Sequence, residues 1–270
     1  MNFSSPAKIN LGLDVLRKRS DGYHDIETVF QFLDWGDTLE FSIETNETEI
    51  ICPQIDASQN LVLKAVNLLK EITGTKKNVQ IRIHKNIPIG SGLGGGSSNA
   101  ATAMKVLNEL WGLKLTKNEL KKISVSIGAD LPIFIEGLAS KAEGVGDILT
   151  ETNPEEKILL IILPRCKIST KEAFNKISLN NKKNIQNDSF FNFFENWARG
   201  NYREIEDCFS WIEKYSQANL SGTGSSIYAK FNSFEEASKI IDNAPESMNC
   251  FLTKSLNRSP LLDELYKIGV

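Results

Sequence analysis

Residues 87–101 read IPIGSGLGGGSSNAA, and five of the seven residues from 90 to 96 are glycine. Before this segment, residues 79–84 (VQIRIH) alternate apolar and polar side chains, which predicts a β-strand. After it, residues 100–110 are rich in good helix formers, which predicts an α-helix. The glycines therefore lie between a strand and the start of a helix.

A glycine-rich junction of this kind suits an anionic ligand. Glycine adopts positive φ angles at little cost and lets bare backbone approach a ligand closely. The start of a helix adds unpaired N–H groups and a partial positive charge. Phosphate is the usual anion at such a place, so the segment predicts a phosphate-binding loop.

Two known glycine motifs offer other interpretations of the loop. Gly90, Gly92 and Gly95 match G-x-G-x-x-G, but a dinucleotide site needs an acidic residue after a second strand about 20 residues on. Residues 116–127 instead predict a second helix, which begins with a capping box. No Gly-Lys-Ser/Thr follows the glycines, so this is not a Walker loop. A flexible glycine loop without a ligand remains the alternative.

Composition sets limits on the partners. The chain has 270 residues, 41% hydrophobic and 24% charged, which suits one or two globular domains. With a net charge of −3 and no broad basic region, neither nucleic acid nor an anionic membrane is an expected partner. Residues 1–6 lack the apolar core of a signal peptide, and no apolar run approaches ~20 residues, so we expect a cytoplasmic protein. The separated cysteines predict free thiols of a reducing compartment: Cys52, Cys166, Cys208 and Cys250.

The first 44 residues predict three strands. Residues 7–15 alternate apolar and polar side chains, which places Lys8 and Asn10 together on the polar face of a half-buried strand. Asp21-Gly22 predicts a hairpin turn, after which Tyr23-His24 opens a strand that runs to Phe32. A third strand is predicted over residues 37–44. On local pattern alone, Lys8, Asn10 and His24 are more often ordinary surface or structural residues.

Two features follow along the rest of the N-terminal half. Residues 60–72 predict an amphipathic helix capped by Asn60. Asp130 stands in a tight turn before an apolar segment, residues 133–135, which predicts a strand because Pro132 disfavours helix at the residue before it. Locally, Asp130 suits a turn-capping role as well as a catalytic one.

Residues 153–156 (NPEE) predict a boundary between two domains, residues 1–153 and residues 154–270. The second half alternates predicted strands and helices, with an Asn- and Lys-rich connector over residues 175–189 and a second small glycine loop over residues 220–226. Strands are predicted over residues 158–163, 227–231 and 248–256, and helices near residues 169–174, 190–197, 202–211 and 233–244. The chain is therefore predicted to be of the α+β class.

Three separated motifs together resemble the GHMP kinase superfamily over essentially the whole chain. They are PAKINL at residues 6–11, the segment from Pro88 to Ser98, and LSGTGS at residues 220–225. Within that superfamily, three further motifs are similar to those of members that act on a cytidine diphosphate-linked methylerythritol. They are DGYH at residues 21–24, GLGGGSSNAA at residues 92–101 and GADLP at residues 128–132.

The resemblance implies a two-domain GHMP kinase fold, with an N-terminal domain like domain 2 of ribosomal protein S5 and a ferredoxin-like C-terminal domain. It implies transfer of the γ-phosphoryl group of ATP to the 2-hydroxyl of that small-molecule substrate, in the non-mevalonate route to isoprenoid precursors. Mg²⁺ would arrive with ATP, and no protein ligand for it is assigned. The expected state is a monomer or a weak homodimer.

The resemblance also implies roles for individual residues. Asp130 would accept the proton of the substrate hydroxyl, and Lys8 would stabilise the transferred charge. Asn10 would orient the methylerythritol end. His24 would hydrogen-bond the cytosine edge, with Tyr23 on one face of the base and Phe174 on the other. The residues implied to bind ATP are Pro88, Ile89, Gly90, Ser91, Gly92, Leu93, Gly94, Gly95, Gly96, Ser97 and Ser98.

The second glycine loop would close over the phosphates through Gly222, Thr223, Gly224 and Ser225, and Asn60 and Lys64 would border the adenine. Two functions compete with this one. A different GHMP kinase would act on homoserine or a mevalonate-type alcohol, neither of which has a base for Tyr23-His24 to contact. A non-catalytic nucleotide-binding protein would keep the phosphate loop without needing Lys8 and Asp130.

Overall fold

Two long antiparallel strands, β1 (Asn2–Lys18) and β2 (His24–Ser42), pair along most of their length. They belong to a computed structural model that describes residues 1–43, 45–176 and 192–268. The strands predicted over residues 23–32 and 37–44 form one strand, β2, so the prediction of two separate strands is wrong. Gly36 explains the continuity, because a Cβ there would lie 2.3 Å from the carbonyl oxygen of Ser5 on β1. Glycine allows β2 to pass this close and stay paired.

The N-terminal half contains four helices and four more strands among the described residues. The predicted cap of the first helix is confirmed, since Asn60 Oδ1 accepts from Val62 N at 2.9 Å. The capping box of the third is confirmed as well. These elements are β3 (Glu49–Ile51), α1 (Leu61–Thr73), β4 (Gln80–His84), α2 (Gly95–Trp111), α3 (Lys117–Ser124), α4 (Leu131–Glu136), β5 (Ser140–Glu143) and β6 (Ile148–Glu151).

Strands and helices continue to alternate in the C-terminal half. The strands predicted over residues 158–163, 227–231 and 248–256 are confirmed, with the last beginning one residue later than predicted. The described elements are β7 (Ile158–Leu163), α5 (Thr170–Lys176), α6 (Glu195–Asn201), α7 (Arg203–Ile212), β8 (Ala218–Leu220), β9 (Ile227–Phe231), α8 (Phe234–Ile241), β10 (Asn249–Leu256) and α9 (Pro260–Lys267).

One sheet runs through both halves in the order β3-β4-β2-β10-β7-β9-β8, with β1 on β2 and the β5–β6 hairpin also joined to β2. Only the β3–β4 pair is parallel among the described strands. Strand β10 joins the halves, because its first six residues pair with β7 and Ser255 and Leu256 pair with β2. The α+β class is confirmed. The division at residue 153 stays a prediction, since α9 returns to the N-terminal core through Leu261 and Leu265.

Three predictions are corrected by the structure or concern residues outside the described ranges. Residues 133–135 lie in α4 and not in a strand, because Pro132 occupies the first helical turn, where a missing N–H costs nothing. The helix predicted over 190–197 begins only at Glu195. Residues 177–189 of the predicted connector, residues 190–191 and Glu44 lie outside the described residues. Over the described ranges, no helix combines the length and apolarity that a membrane crossing requires.

Lys105 on α2 is a buried charge in the N-terminal core. Within the ranges that the structure describes, its ammonium has no hydrogen-bond partner. Burial is the main cause that lowers the pKa of Lys105 from 10.5 to about 8; the charges of Lys117 and Arg258 contribute in the same direction, and Glu136 opposes them. The fold therefore bears the cost of burying this charge at neutral pH.

We expect Lys105→Met to stabilise the protein at neutral pH. Below pH 8 the ammonium is charged in both the folded and the unfolded state, so its burial cost is fully present. Between about 8 and 10.5 the folded state loses the proton first, and the cost disappears. Lys105→Met should raise the free energy of unfolding by on the order of 3 kcal/mol at pH 7, and by much less at pH 10. Urea unfolding at both values measures this. Lys122→Met, at an exposed lysine, is the control. An equal gain in the free energy of unfolding at pH 7 and pH 10 would contradict the prediction.

Candidate active site

The predicted phosphate loop connects β4 to α2 and bends at three glycines with positive φ, Gly90, Gly92 and Gly94. Close contacts require glycine at two of them: a Cβ would lie 2.5 Å from the oxygen of Gly224 at Gly92, and 2.8 Å from the ring of Phe134 at Gly94. Helix α2 begins at Gly95, five residues earlier than predicted. Because Gly94 has no side chain to cap α2, the N–H groups of its first turn have no side-chain partner and can bind an anion.

The two glycine loops lie against each other. Both the N–H and the hydroxyl of Ser226 donate to the carbonyl of Ser91, at 3.0 and 2.6 Å. Asn192, which sequence reasoning missed, donates from Nδ2 to the carbonyls of Leu220 and Gly222, at 2.7 and 2.8 Å. The second loop is therefore fixed from both sides. Two further residues of the second loop form hydrogen bonds to residues outside it. Thr223 Oγ1 bonds with Thr170 Oγ1 at 3.2 Å, and Ser225 Oγ donates to the carbonyl of Cys166 at 2.9 Å.

Lys8 and Asp130 meet beside these loops. Lys8 Nζ lies 3.4 Å from Asp130 Oδ2 and donates to Asn10 Oδ1 at 2.6 Å. The side chain of Lys8 is 4% exposed and that of Asp130 is 40% exposed, so the carboxylate is open to solvent and the ammonium lies behind it. We call the solvent-facing surface that runs from this pair along β2 to His24 the cleft. Asp130 occupies the N-cap position of α4 but makes no capping bond. A purely capping role is thereby ruled out for this aspartate.

Neighbouring groups fix the ammonium in place. Lys8 Nζ stands 5.2 Å from the centre of the Phe30 ring. Asn10 Nδ2 donates to Thr28 Oγ1 at 2.8 Å, which orients the amide oxygen toward Lys8. The backbone N–H of Lys8 donates to the carbonyl of Leu93 at 3.0 Å, so β1 is joined directly to the phosphate loop.

The two serines at the start of α2 differ in their surroundings. Ser98 is fully buried, and its hydroxyl bonds with the Ser5 hydroxyl at 2.8 Å and the Pro6 carbonyl at 2.7 Å. Its N–H donates to the carbonyl of Gly94. Ser97 is half-buried, and its Oγ lies near Gly128, just ahead of Asp130. Ser97 is thus the serine whose hydroxyl lies toward the cleft.

The first residues of the loop line its outer side. Pro88, Ile89, Gly90 and Ser91 border a cavity of about 220 Å³ together with Cys166, Lys167 and Ser225. This cavity does not include Lys8 or Asp130. Burial raises the pKa of the Cys166 thiol, so the thiol is neutral at pH 7.

His24 and Phe174 meet at the far end of β2. Their ring centres are 5.0 Å apart, and Phe174 also contacts Phe194 edge-on at 4.8 Å. Burial, with a smaller effect of Lys18, lowers the pKa of His24 below its usual 6.5, so the imidazole is neutral at pH 7. Tyr23 next to it is 62% exposed, with its ring open to solvent.

The two ends of the cleft are well separated. Asn10 pairs with Phe30 on β2, and His24 lies six residues before Phe30, at the start of the same strand. At ~3.3 Å per residue this is about 20 Å. The β5–β6 turn lies between the two ends, since Gly144 accepts from the N–H of Ile26 at 2.8 Å and a Cβ on Gly146 would lie 3.7 Å from the Ala129 oxygen. Nothing in the sequence predicts that this turn lies between the two ends.

Two family models match this chain, one in each half. The family model described as GHMP kinases N terminal domain matches residues 60–138, and the model described as GHMP kinases C terminal matches residues 170–250. The chain belongs to the GHMP kinase family. As in other kinases of that family, its co-substrate is ATP and it is a phosphotransferase.

Curated relatives of this GHMP kinase are similar over its full length. It is 39% identical to a 4-diphosphocytidyl-2-C-methyl-D-erythritol kinase of Colwellia psychrerythraea, covering 100% of this chain and 95% of the relative. It is 38% identical to a protein of the same name from Marinobacter nauticus, covering 98% and 97%. A crystal structure of a 4-(cytidine 5'-diphospho)-2C-methyl-D-erythritol kinase matches with a TM-score of 0.84 at 24% identity, over 94% of this chain and 99% of that one.

Proposed function

We propose that this GHMP kinase transfers the γ-phosphoryl group of ATP to the 2-hydroxyl of 4-diphosphocytidyl-2-C-methyl-D-erythritol, in the non-mevalonate route to isoprenoid precursors. The observation that carries the proposal is the Lys8–Asp130 pair, which lies beside the uncapped start of α2. The names of the relatives at 38–39% identity support the choice of substrate.

The chemistry assigns one task to each group. Phosphoryl transfer needs an oriented nucleophile and neutralised phosphate charge more than covalent help from the protein. Asp130 is the exposed carboxylate of the pair, so it accepts the proton of the attacking hydroxyl. Lys8, buried behind it, donates to the transferred phosphoryl oxygens. The first-turn N–H groups of α2 and the loop backbone from Gly92 to Ser97 hold the remaining phosphates, while Ser98 supports the loop from beneath.

Mg²⁺ would enter with ATP. In the described parts of the chain, no three His, Cys, Asp or Glu side chains group closely enough to hold a metal ion. Phosphate oxygens are ligands that Mg²⁺ prefers, so ATP itself supplies most of its coordination, and the ion neutralises phosphate charge. Of the side chains near the phosphate end, the Ser97 hydroxyl and the Asp130 carboxylate are oxygen donors of suitable type.

Substrate length supports the cytidylyl compound over a small alcohol. A ligand that contacts both Asp130 and His24 must span about 20 Å of strand. A nucleoside diphosphate joined to a small polyol has that reach, whereas homoserine and mevalonate fill only the end near Lys8. Asn10 then orients the polyol, Tyr23 stacks on the base, and the neutral His24 imidazole accepts from the exocyclic amine of cytosine. Phe174 holds His24 and borders the base.

An ATP-consumption assay with three alcohols tests the proposal. The purified chain is given 4-diphosphocytidyl-2-C-methyl-D-erythritol, homoserine or mevalonate under identical conditions. Turnover with the cytidylyl compound alone is the expected result. Turnover with another alcohol would contradict the proposed substrate but would agree with the proposed phosphoryl transfer. ATP binding without turnover on any of them would favour the non-catalytic nucleotide-binding protein.

We expect His24→Ala to raise KM for the cytidylyl substrate about tenfold, the scale of one hydrogen bond plus a ring contact, with kcat changed less than about twofold. For the unaltered protein, KM should be flat from pH 8 to pH 6.5 and rise only below that, as the imidazole gains a proton and loses its acceptor. The variant should lack this rise. Exposed His84→Ala is the matched control, and an unchanged KM in His24→Ala would remove His24 from base recognition.

A further inference from the structure

Asp37 on β2 is a buried carboxylate outside the chemistry described above. Its side chain is 0% exposed and pairs with the ammonium of Lys85, which is itself only 7% exposed. Its Oδ1 accepts from the backbone N–H groups of Asn86 and Ile87, at 2.7 and 2.8 Å. Asn86 Nδ2 also donates to the carbonyl of Gly36 at 2.8 Å. Four hydrogen bonds thus join residues 36–37 to residues 85–87, where the chain enters the phosphate loop.

The partner of Asp37 lies at the phosphate end of α2. A Cβ placed on Gly95, the first residue of that helix, would lie 3.1 Å from Lys85 Nζ and 2.9 Å from Ile87 Cγ2. Both residues that Asp37 holds therefore pack directly on the turn whose N–H groups face the cleft. A shift of residues 85–87 would be transmitted to Gly95 by contact.

Fold stability alone does not explain this arrangement. A buried ion pair seldom stabilises a fold more than a well-packed apolar pair of similar size, because both ions lose their hydration. A cation at the start of a helix also opposes the helix dipole. The position of the Lys85 ammonium becomes favourable when an anion binds at the start of α2, because its charge then adds to that of the helix dipole in attracting the phosphates.

We propose that Asp37 is a positioning residue for ATP, which sets the entry of the phosphate loop through the N–H groups of Asn86 and Ile87 and holds the ammonium of Lys85 over Gly95. The inference rests on the use of ATP in the proposed function. It does not depend on which alcohol is phosphorylated.

The test measures ATP binding and steady-state kinetics separately. Asp37→Ala removes both the acceptor and the charge, whereas Asp37→Asn keeps an oxygen for the two N–H groups and removes only the charge. We expect Asp37→Ala to raise the Kd for a non-hydrolysable ATP analogue, by calorimetry, about tenfold or more, and Asp37→Asn to give a smaller rise. KM for ATP should follow the Kd, and KM for the alcohol should stay within about twofold. Lys85→Met removes the ammonium itself, so it should raise the Kd at least as much as Asp37→Asn. Because Asp37 acts through Lys85, the two rises should not add in the Asp37→Asn/Lys85→Met double variant.

Glu136→Gln is the matched control. That carboxylate is also mostly buried and pairs with Lys117 and Lys121, but it lies at the far end of α4. A fall in Tm like that of the control with an unchanged Kd for the ATP analogue would show that Asp37 is merely structural, and equal rises in both KM values would likewise overturn the proposal. If Asp37→Ala does not fold, Asp37→Asn and Lys85→Met decide. Failure of the alcohol assay would leave the calorimetry valid, so the two proposals fail separately.

Discussion

Asp130→Asn is expected to lower kcat about 10³-fold while the Kd for ATP stays within about twofold. The amide keeps the size of the carboxylate and cannot accept the hydroxyl proton, and general-base catalysis contributes on the order of 10² to 10⁴ in rate. ATP binding should persist because the groups that hold the phosphates in the proposed function are the loop backbone and the first-turn N–H groups of α2, and not the Asp130 side chain.

Single-turnover kinetics with the cytidylyl substrate, together with calorimetry for an ATP analogue, measure both parts of this prediction. Asp263→Asn is the control, since this exposed carboxylate on α9 pairs with Arg258 and belongs to none of the elements that form the candidate site. If Asp130→Asn retained more than about a tenth of the turnover, Asp130 would not be the base.

Lys8→Met should lower kcat/KM for ATP about 10²- to 10³-fold, the scale of losing one fixed donor to a transferring group. Methionine fills nearly the same volume between Phe30 and Gly94, so the change removes the charge with little loss of packing. Unlike Asp130→Asn, this variant should also weaken binding of the ATP analogue, because the ammonium lies next to the second glycine loop at Gly222.

Two controls accompany Lys8→Met. Lys239→Met, an exposed lysine on α8 paired with Glu235, controls for loss of a lysine charge. Circular dichroism establishes that each variant is folded. A Lys8→Met protein with normal turnover would show that the buried ammonium serves the fold and not the phosphoryl group.

The glycine loop between a strand and a helix was predictable from sequence because its signals are local. An alternating strand, a run of glycines and a helix follow one another without a gap, and each is set by residues within about four positions of its own. The same holds for the caps at Asn60 and Thr116, which the structure confirms. The wrong prediction at residues 133–135 also has a local cause, because a proline that breaks a helix interior is tolerated in the first turn, where Pro132 lies.

The remainder depends on contacts between distant residues. Lys8 and Asp130 lie far apart in sequence, and no periodicity links them; only the family resemblance brought them together before the structure did. The contribution of Asn192 to the second glycine loop has no sequence signal, since a lone asparagine suits any turn. The pairing of β10 with both β7 and β2 is likewise a property of the assembled sheet.

The position of the new phosphate tests the central claim most directly. After reaction with ATP and 4-diphosphocytidyl-2-C-methyl-D-erythritol, phosphorus NMR distinguishes the hydroxyls, because carbon 2 carries a methyl group and no hydrogen. We expect one new phosphate monoester signal that is not split by any proton on its carbon, together with one ADP for each product formed. A monoester signal split by such protons, or ADP without a new monoester, would contradict the claim.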